Sequence, residues 1–386
     1  RKKGTTMDHI RIGIAGCGSV SQRGLLPHLA QDDIRAWCTL AAVMDPEPGR
    51  AEATAQKFGA AAHFTDYTDM LASDIDAVVI ASPIGLHFDQ AMEAIERGKH
   101  LHMNKTMTTT KAEADEVIAA AAAAGVTIVA SPGRGHRAGT RRIKEIIESG
   151  DIGRVYFAEI GTAGSGHEHE GFRRGDDVLS NVNPAWYYRK PGGGPMYDMA
   201  VYALHTITGI LGPVRNVTGM SGIGLKERAF KDQTLPVDMD DNTHLLLDFG
   251  ASVFCILFGT NSHGGPRGFS SPYISGSSGA IAYEGGELVT WGLGVEGGRR
   301  AERPQGAMPF VVGEHANIQE SHVYSDIMHM VDCALHGKQP AVSAEHARHV
   351  IEIIELGYLA AETGETQRVT TEFELGELDA PAVDSR

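Results

Sequence analysis

Three polar side chains with a spacing suited to proton transfer lie near the middle of the chain. Asp198, Tyr202 and His205 follow one another at intervals that place a carboxylate, a phenol and an imidazole on one face of a helix. Three glycines at 192–194 followed by Pro195 are a typical start for such a helix. Groups of these types can hold a substrate hydroxyl and exchange its proton, so the segment is a candidate catalytic helix.

A glycine-rich segment near the N-terminus has the spacing of a dinucleotide-binding turn. It follows an apolar run over residues 10–15, a predicted strand, and precedes a predicted helix. Gly16 permits a tight turn, Gly18 lets the backbone approach a pyrophosphate, and free helical N–H groups attract its charge. Ser21 occupies the third motif position, where Gly or Ala is usual. The residues expected to contact the dinucleotide are Gly16, Cys17, Gly18, Ser19 and Val20.

An acidic residue, Asp45, ends the second predicted strand. A carboxylate there accepts hydrogen bonds from both hydroxyls of an adenosine ribose and repels a 2′-phosphate. The sequence therefore predicts NAD rather than NADP as the cofactor. The alternative is a similar sheet with glycine-rich turns and no dinucleotide, which the combination of strand, glycine motif and acid disfavours.

The apolar pattern divides the chain into two parts. From residue 10 to about 130, short β-branched runs alternate with helical stretches, which predicts a doubly wound parallel sheet. Beyond it, strands separated by glycine-rich segments precede two C-terminal helices that are expected to pack on the second domain. We predict an α/β protein with an NAD-binding Rossmann domain over 7–130. The remainder, 131–386, is predicted to be an α+β domain with a large, mostly antiparallel sheet for substrate binding and oligomerisation.

Composition argues against several classes of partner. The chain has 34 Lys and Arg residues against 49 Asp and Glu residues, a net charge of −15, which disfavours nucleic acid and anionic membrane surfaces. The longest apolar run, Val117 to Ala130, is too short to span a membrane. The residues before Met7 lack the apolar stretch of a secretory signal, so a cytoplasmic protein is expected. Four cysteines without ligand spacing are expected to be reduced and buried.

Three further segments carry motifs with known counterparts. Residues 76–87 form an apolar strand followed by Ser-Pro-x-x-x-His, and residues 98–106 read Gly-Lys-His-Leu-His-Met-Asn-Lys-Thr. Residues 186–194 read Trp-Tyr-Tyr-Arg-Lys-Pro-Gly-Gly-Gly. Together with the glycine motif, these segments resemble the Gfo/Idh/MocA superfamily of glucose-fructose oxidoreductase and inositol dehydrogenase relatives over nearly the whole chain.

The resemblance implies roles for individual residues. Lys105 looks like the family's active-site lysine, although Asn104 and Thr106 replace the usual Glu and Pro on either side of it. The cofactor-binding residues that the resemblance adds are Ser82, Pro83, His87, Asn104 and Lys105. The substrate-binding residues that it implies are Trp186, Arg189, Asp198 and His205.

The candidate catalytic helix departs from the usual family pattern at one position. Most relatives have Asp-x-x-x-His, in which the Asp orients the substrate and the His exchanges the hydroxyl proton, whereas Tyr202 stands at the His position here. A tyrosine also occurs there in the glucose-fructose oxidoreductase branch. A neighbouring Lys105 ammonium would lower the phenol pKa from its reference value near ~10, so the pair could transfer a proton. The alternative is that Tyr202 and His205 are hydrogen-bonded packing residues.

Three functional hypotheses follow from the resemblance. The first is an NAD-dependent dehydrogenase or reductase of a sugar, cyclitol or sugar acid, in which Tyr202 and Lys105 transfer the proton. The second is an NAD-dependent glycosidase that oxidises C3 transiently, eliminates, adds water and re-reduces, because Tyr202-Ala203-Leu204-His205 resembles the Tyr-x-x-His element of such enzymes. The third is a non-catalytic NAD-binding sensor or partner subunit, suggested by the altered Asn104-Lys105-Thr106. A homodimer or homotetramer is expected.

Two charged clusters have weaker implications. His167-Glu168-His169-Glu170 contains metal-ligating residue types without helical metal-site spacing, so we predict a solvated or substrate-lining loop and no metal. A group of basic residues suggests an anionic group on the substrate, with a solvated loop as the equal alternative; the group is Arg173, Arg174, Arg189 and Lys190. The histidines at positions 315, 322, 329, 336, 346 and 349 are expected to be surface or packing residues.

Overall fold

The N-terminal part of the chain folds as a parallel sheet covered by helices, as predicted. The computed structural model describes residues 8–262, 269–306 and 308–378. Six strands pair in the order β3-β2-β1-β4-β5-β6, all in parallel. They are β1 (Ile10–Ala15), β2 (Cys38–Met44), β3 (Ala62–Phe64), β4 (Ala77–Ile80), β5 (His100–Met103) and β6 (Ile128–Ala130). The strand order reverses between β1 and β4, so their carboxyl ends border a crevice suited to a dinucleotide.

The helices of this domain begin and end at recognisable sequence signals. For example, Thr110 and Glu113 form a reciprocal capping box before an alanine-rich helix, which ends where Gly125 adopts a left-handed conformation. A π-helical turn, Ser21–Leu25, follows the glycine motif. The helices are α1 (Leu26–Leu29), α2 (Arg50–Phe58), α3 (Tyr67–Ala72), α4 (His87–Glu96) and α5 (Lys111–Ala124).

The second part of the chain is built on a nine-stranded sheet in the order β16-β15-β14-β13-β7-β12-β11-β8-β17. Only the β7–β12 pair is parallel, so the prediction of a mostly antiparallel sheet is confirmed. Its strands are β7 (Val155–Ala163), β8 (Asn216–Gly222), β11 (Asn242–Asp248), β12 (Phe254–Thr260), β13 (Phe269–Gly276), β14 (Gly279–Glu284), β15 (Glu287–Gly292), β16 (Arg299–Glu302) and β17 (Gln367–Arg368). A separate hairpin contains β9 (Glu227–Phe230) and β10 (Gln233–Pro236).

Helices cover one face of this sheet. They are α6 (Ala138–Glu148), α7 (Val201–Leu211) and α9 (Ala344–Thr363), and α8 (Ser321–His336) lies between α7 and α9 in the chain. A π-helical turn, Met196–Ala200, leads directly into α7. The buried side chains of α7 and α9 form one apolar core with the sheet, which includes Leu204, Ile207, Val350, Ile354, Leu245 and Leu257. The core fixes α7, and with it the candidate catalytic segment, against the sheet.

The two C-terminal helices divide between the domains. Val323, Ile327 and Val331 of α8 pack in the apolar core that contains β1, so the expectation that both helices pack on the second domain is wrong for α8. Helix α9 contributes Ile351 to the core of the parallel sheet and Val350 to that of the large sheet. Periodicity revealed the apolar faces of these helices but not which sheet each face would cover.

The lengths of the helices and the state of the cysteines bear on membranes and disulfides. No helix among the described residues is long and apolar enough to cross a membrane. All four cysteines are buried and none forms a disulfide; they are Cys17, Cys38, Cys255 and Cys333. Burial raises the pKa of each thiol, to about 12 for Cys17, so these side chains act as apolar packing groups.

Candidate active site

The glycine-rich turn after β1 has the geometry of a dinucleotide cradle. Gly16 adopts a φ of 96°, and a Cβ on it would lie 2.7 Å from the Ala81 carbonyl oxygen at the end of β4, so a side chain is excluded. Above Gly18 the space is open, and the nearest atom to a Cβ there is a methyl of Val182 at 3.8 Å. The Ser21 hydroxyl donates to the Gly16 carbonyl at 2.6 Å, which explains how serine is accommodated at the third motif position. These residues fit a bound pyrophosphate.

Asp45 is held in place at the end of β2. One of its carboxylate oxygens accepts the Cys17 backbone N–H at 2.9 Å, and the other accepts the Glu47 backbone N–H at 2.9 Å. The Arg50 guanidinium lies 3.2 Å from the same carboxylate and also donates to the carbonyls of Val178 and Asn181. Asp45 therefore ties the glycine-rich turn to α2, and Arg50 ties a loop of the second domain to the same place.

The turn after β4 is braced by His87. Its two ring nitrogens lie 2.9 Å from the carbonyl oxygens of Ser82 and Thr106, so the buried imidazole joins the ends of β4 and β5. The Asn104 side chain accepts the Lys105 backbone N–H at 2.8 Å. Pro83 precedes the short helical turn that leads into α4. These residues fix the backbone at the ends of β4 and β5, next to Lys105.

Lys105 and Asp198 form a buried ion pair at the end of β5. The ammonium lies 2.5 Å from a carboxylate oxygen of Asp198 and also donates to its backbone carbonyl. The Thr106 hydroxyl donates to the Tyr197 carbonyl at 2.6 Å, which is a second link between β5 and the π-helical turn. Burial alone would lower the pKa of Lys105, but the Asp198 carboxylate and nearby phenols raise it above its ordinary value. Lys105 is therefore a permanent cation.

A chain of alternating charges extends from this pair. Nε2 of His167 forms a hydrogen bond with the second carboxylate oxygen of Asp198, and Nδ1 lies 2.6 Å from a carboxylate oxygen of Glu170. Glu170 in turn pairs with Arg173 at 2.7 Å. Burial would lower the pKa of His167, but the two flanking carboxylates raise it; burial would raise the pKa of Asp198, but Lys105 and His167 lower it. This series of charged side chains keeps the Asp198 carboxylate ionised.

The His-Glu-His-Glu segment, predicted to be a solvated or substrate-lining loop, contacts the Lys105–Asp198 pair through His167. His167 and Glu170 belong to the charge chain, whereas Glu168 is buried in an ion pair with Arg228 at 2.7 Å. Among the described residues, no cluster of His, Cys, Asp or Glu has the arrangement of a metal site. Tyr187 stacks between His167 and Trp186, with ring centroids 3.7 Å apart in each pair, which places Trp186 at the site.

Tyr202 lies beside Lys105, within a group of cations. Its ring centroid is 5.2 Å from the Lys105 ammonium and 4.9 Å from the Arg134 guanidinium, and its hydroxyl is 3.3 Å from Nε2 of His322. Burial raises the pKa of Tyr202, and although Lys105 lowers it as expected, the pKa stays above its ordinary value. Tyr202 is therefore a neutral phenol, which can both accept and donate hydrogen bonds, rather than a preformed phenolate.

Two of the predicted substrate residues have their contacts elsewhere. His205 is 2% exposed and packs edge-on against His346 with ring centroids 4.5 Å apart. Burial lowers the pKa of His205 to about 3, and its Nδ1 has no hydrogen-bond partner within the described part of the chain. Arg189 forms a half-exposed ion pair with Asp238 at 2.8 Å. The structure brings neither residue to the Lys105–Asp198 pair, and their substrate roles stay predictions.

Family models match both domains of the chain. Residues 10–131 match an oxidoreductase family with an NAD-binding Rossmann fold, and residues 140–282 match the GFO/IDH/MocA C-terminal domain. The chain belongs to the Gfo/Idh/MocA oxidoreductase family. The resemblance inferred from the motifs is thereby confirmed, as is an NAD-binding Rossmann domain.

Curated relatives in the Gfo/Idh/MocA family act on sugars and cyclitols. A dTDP-3,4-didehydro-2,6-dideoxy-alpha-D-glucose 3-reductase from Streptomyces violaceoruber is 28% identical over 215 residues, 55% of this chain and 58% of the relative. The scyllo-inositol 2-dehydrogenase (NADP(+)) IolU from Bacillus subtilis is 29% identical over 209 residues, 54% of this chain and 60% of the relative. The match therefore spans about three fifths of each relative's length.

Solved structures share the fold over nearly the whole chain. A levoglucosan dehydrogenase in complex with NADH and levoglucosan superposes with a TM-score of 0.74 at 18% identity, covering 94% of this chain and 99% of the other. An oxidoreductase from Agrobacterium radiobacter in complex with NAD+, L-tartaric acid and magnesium has a TM-score of 0.71 at 19% identity, covering 93% of this chain and 98% of the other. At these identities the comparison establishes the fold of Gfo/Idh/MocA proteins and no more.

Sequence reasoning missed three residues of the site. His322 was expected to be a surface or packing residue, yet it contacts the Tyr202 hydroxyl from the start of α8. Arg134 had no motif signal. His167 was noted within its segment, but nothing in the spacing connected it to Asp198, which lies thirty-one positions away. All three depend on tertiary contacts between segments distant in the chain.

Proposed function

We propose that the protein is an NAD-dependent dehydrogenase or reductase of a sugar, cyclitol or sugar acid. The observation that carries this proposal is the Lys105–Asp198 ion pair, which lies next to Tyr202 at the end of β5, two strands from the glycine-rich turn. A buried cation, a carboxylate and a phenol in one place are suited to binding a hydroxyl-rich substrate and moving one of its protons. The activities of the curated relatives, a sugar 3-reductase and an inositol dehydrogenase, support the same chemistry.

Each side chain has a role that follows from its charge. Lys105, a permanent cation, donates to the oxygen of the reacting hydroxyl and stabilises the negative charge that develops there. Asp198 stays ionised and accepts hydrogen bonds from a neighbouring hydroxyl. Tyr202 takes up the departing proton on its oxygen while its own phenol proton moves on, so the side chain stays neutral. Bound NAD supplies the two-electron acceptor at its nicotinamide.

An anionic substrate is favoured by Arg134 rather than by the basic residues noted from the sequence. Arg173 and Arg189 are already paired with carboxylates. The Arg134 guanidinium lies over the Tyr202 ring, and its Nε is buried without a hydrogen-bond partner among the described residues. A substrate carboxylate next to the reacting hydroxyl would supply that partner.

A substrate panel with NAD tests the proposal. Levoglucosan, scyllo-inositol, D-glucose and D-glucuronate are incubated with the enzyme while the absorbance of reduced nicotinamide is recorded. We expect reduction in proportion to product, fastest with D-glucuronate, and a selective loss of D-glucuronate turnover in Arg134→Met. A fastest rate with a neutral member would refute the anionic preference. Absence of reduction with all four would refute the proposed substrate class.

The glycosidase alternative needs a second base beside Tyr202. His205, its candidate, lies in the buried contact with His346, so the geometry gives this alternative less support than it gives a dehydrogenase. Aryl glycosides of neutral and anionic sugars separate the two. Phenol release without net nicotinamide reduction would establish the glycosidase, and stoichiometric reduction would exclude it. An NAD-binding sensor would show neither phenol release nor nicotinamide reduction. That hypothesis gives the buried Lys105–Asp198 pair no chemical role.

We also propose that the chain forms a homo-oligomer in the cytoplasm through the outer face of the nine-stranded sheet. The central strands alternate buried and exposed residues, and several large apolar side chains point outward, away from α7 and α9. They include Met220, Leu246, Phe254 and Ile256. A patch of this kind on one continuous sheet fits a second copy of the same face. Light scattering should give a dimer or tetramer, and Leu246→Asp with Ile256→Asp should give monomers.

A further inference from the structure

His322 connects the buried Tyr202 hydroxyl to the protein surface. Its Nε2 lies 3.3 Å from the phenol oxygen, and its Nδ1 lies 3.6 Å from a carboxylate oxygen of Glu320. Tyr202 is 8% exposed, whereas the side chains of His322 and Glu320 are 20% and 25% exposed. Exposure therefore increases in order along these three groups.

The segment that carries His322 is fixed in place against the nucleotide-binding domain. Glu320 adopts a φ of 57°, a left-handed conformation that a residue with a side chain takes only under constraint. A Cβ on Gly24 would lie 2.4 Å from the Glu320 Cβ, so the two segments touch without room for a side chain. The carbonyl of Gln319 lies 3.0 Å from a ring nitrogen of His28. These contacts hold Glu320 and the first turn of α8 beside the site.

A proton taken from the substrate cannot remain on Tyr202. The phenol lies within about 5 Å of both Lys105 and Arg134, and a third positive charge there would be repelled by both. The Lys105–Asp198 pair offers no alternative path, because Lys105 is already protonated and Asp198 is compensated by two cations. His322 is a titratable side chain with a hydrogen bond to the Tyr202 hydroxyl, so it can take the phenol proton.

The charge state of His322 suits it to pass a proton on. Burial and, to a smaller extent, the neighbouring cations lower its pKa to about 3 although Asp326 raises it, so the imidazole is neutral near pH 7. The charged groups that face it are Arg134, Arg137, Lys105, Asp326 and Glu320. A neutral imidazole has one N–H and one lone pair, so it can accept a proton at Nε2 while it releases another from Nδ1.

We propose that Tyr202, His322 and Glu320 form a proton relay between the substrate hydroxyl and solvent. The substrate O–H proton moves to the Tyr202 oxygen, the phenol proton to Nε2 of His322, and the Nδ1 proton to Glu320. The hydrogen on the substrate carbon leaves with its electron pair to NAD, and a carbonyl forms. Glu320 then releases the proton to water. The last gap of 3.6 Å is one that a bridging water spans. The relay rests on the proposed dehydrogenase function.

The informative substitution is His322→Gln. A glutamine amide can keep a hydrogen bond to Tyr202, but it cannot exchange a proton between its two ends. We expect the single-turnover rate of NAD reduction, measured with the fastest substrate of the panel above, to fall at least tenfold, on the scale of general acid–base catalysis. NAD affinity should be unchanged. His336→Gln, at the exposed end of the same helix, is the matched control and should keep the wild-type rate.

Rescue experiments separate a relay from a packing role. In His322→Ala, added imidazole should restore a large part of the rate, and Glu320→Gln should slow the reaction less than His322→Gln does, because water can replace the final acceptor. A rate within twofold of wild type in His322→Gln, or no response of His322→Ala to imidazole, would overturn the relay.

A measurement without substrate keeps the relay testable if the proposed function fails. In protein labelled with ¹⁵N-histidine and loaded with NAD, the signal that disappears in His322→Gln identifies His322. Its nitrogen shifts should be those of a neutral imidazole at neutral pH, and should change in Tyr202→Phe. An imidazolium would contradict the relay, because it has no lone pair to accept the Tyr202 proton. A neutral His322 together with an inactive substrate panel would instead reject the proposed substrate class alone.

Discussion

At the scale of single residues, the site depends on charges that compensate one another in a buried place. Asp198 is bound by Lys105 on one side and His167 on the other, so its carboxylate stays ionised although it is 4% exposed. A buried charge that loses its partner is costly, since the remaining group stays desolvated. Substitutions at the Lys105–Asp198 pair should therefore affect both the reaction and the local structure.

Replacing Lys105 by Ala should reduce turnover by about a hundredfold or more, because the reacting oxygen loses its cation. NAD affinity should change little, since Lys105 makes its contacts with Asp198. Steady-state kinetics and calorimetry with NAD measure the two effects. Lys111→Ala, which breaks a partly exposed pair with Asp115 on α5, is the control. Activity within tenfold of wild type would remove Lys105 from the reaction.

Cofactor choice should depend on Asp45. We expect NAD to bind at least about tenfold tighter than NADP, because a 2′-phosphate beside this carboxylate is repelled. Asp45→Ala should reverse part of this preference, since it removes the repulsion and leaves Arg50 available to the phosphate. Calorimetry with both dinucleotides measures the ratio. Equal affinities in the wild-type protein would contradict the argument.

At the scale of elements, features specified by adjacent residues could be predicted from the sequence, whereas contacts between distant segments could not. The strand, glycine turn and helix around Gly16 were predictable because each is specified by adjacent residues. Asp198 and His205 were expected to share a helix face, but their contacts differ: Asp198 pairs with Lys105, whereas His205 packs against His346. A π-helical turn over Met196–Ala200, which the sequence pattern did not predict, lies at the start of this segment. The contact of His322 with Tyr202 was not predictable, because two segments 120 residues apart must meet first.

Gly24→Ala tests the contact between the start of α8 and the nucleotide-binding domain. The added Cβ would lie 2.4 Å from the Glu320 Cβ, so the segment that carries His322 must shift. We expect a loss of about 1–3 kcal/mol in the free energy of unfolding and a lower turnover. Urea unfolding and kinetics measure these. Gly222→Ala, where no atom lies within 4 Å of the new Cβ, should alter neither, and equal behaviour of the two variants would argue against the contact.

At the scale of the whole molecule, the C-terminal helices connect the two domains that the sequence pattern separates. The change of pattern near residue 131 marks where the parallel sheet ends, but α8 returns to that sheet and α9 packs against both. A hydrophobic pattern shows that a helix has a buried face without showing its partner. The sequence therefore could not predict that α8 packs on the N-terminal sheet, and only the structure shows it.

Asp240 joins α9 to the large sheet. Because its pKa is shifted, it should make the free energy of unfolding depend on pH. It accepts hydrogen bonds from Tyr358 and Thr243 at 2.6 Å, and burial raises its pKa to about 6. Because this pKa is raised, the stabilising contribution is complete below about pH 4 and is lost as the pH rises through about 6. Asp240→Asn should remove that dependence. Between about pH 5 and about pH 7.5, its unfolding free energy should rise relative to wild type by about 1 kcal/mol, measured in urea; a constant difference would contradict this.

Arg50 has a consequence for the order in which ligands leave. Its guanidinium holds the carbonyls of Val178 and Asn181 over the glycine-rich turn, and Val182 lies next to Gly18. A dinucleotide bound at this turn would lie beneath the loop, so we expect both bonds to break before it departs. A sugar beside Lys105 would not require this. We therefore expect a long residence time for the dinucleotide and rapid exchange of sugars. Release of the reduced dinucleotide would then be slower than exchange of the sugar, and a burst of reduced nicotinamide in the first turnover would show it.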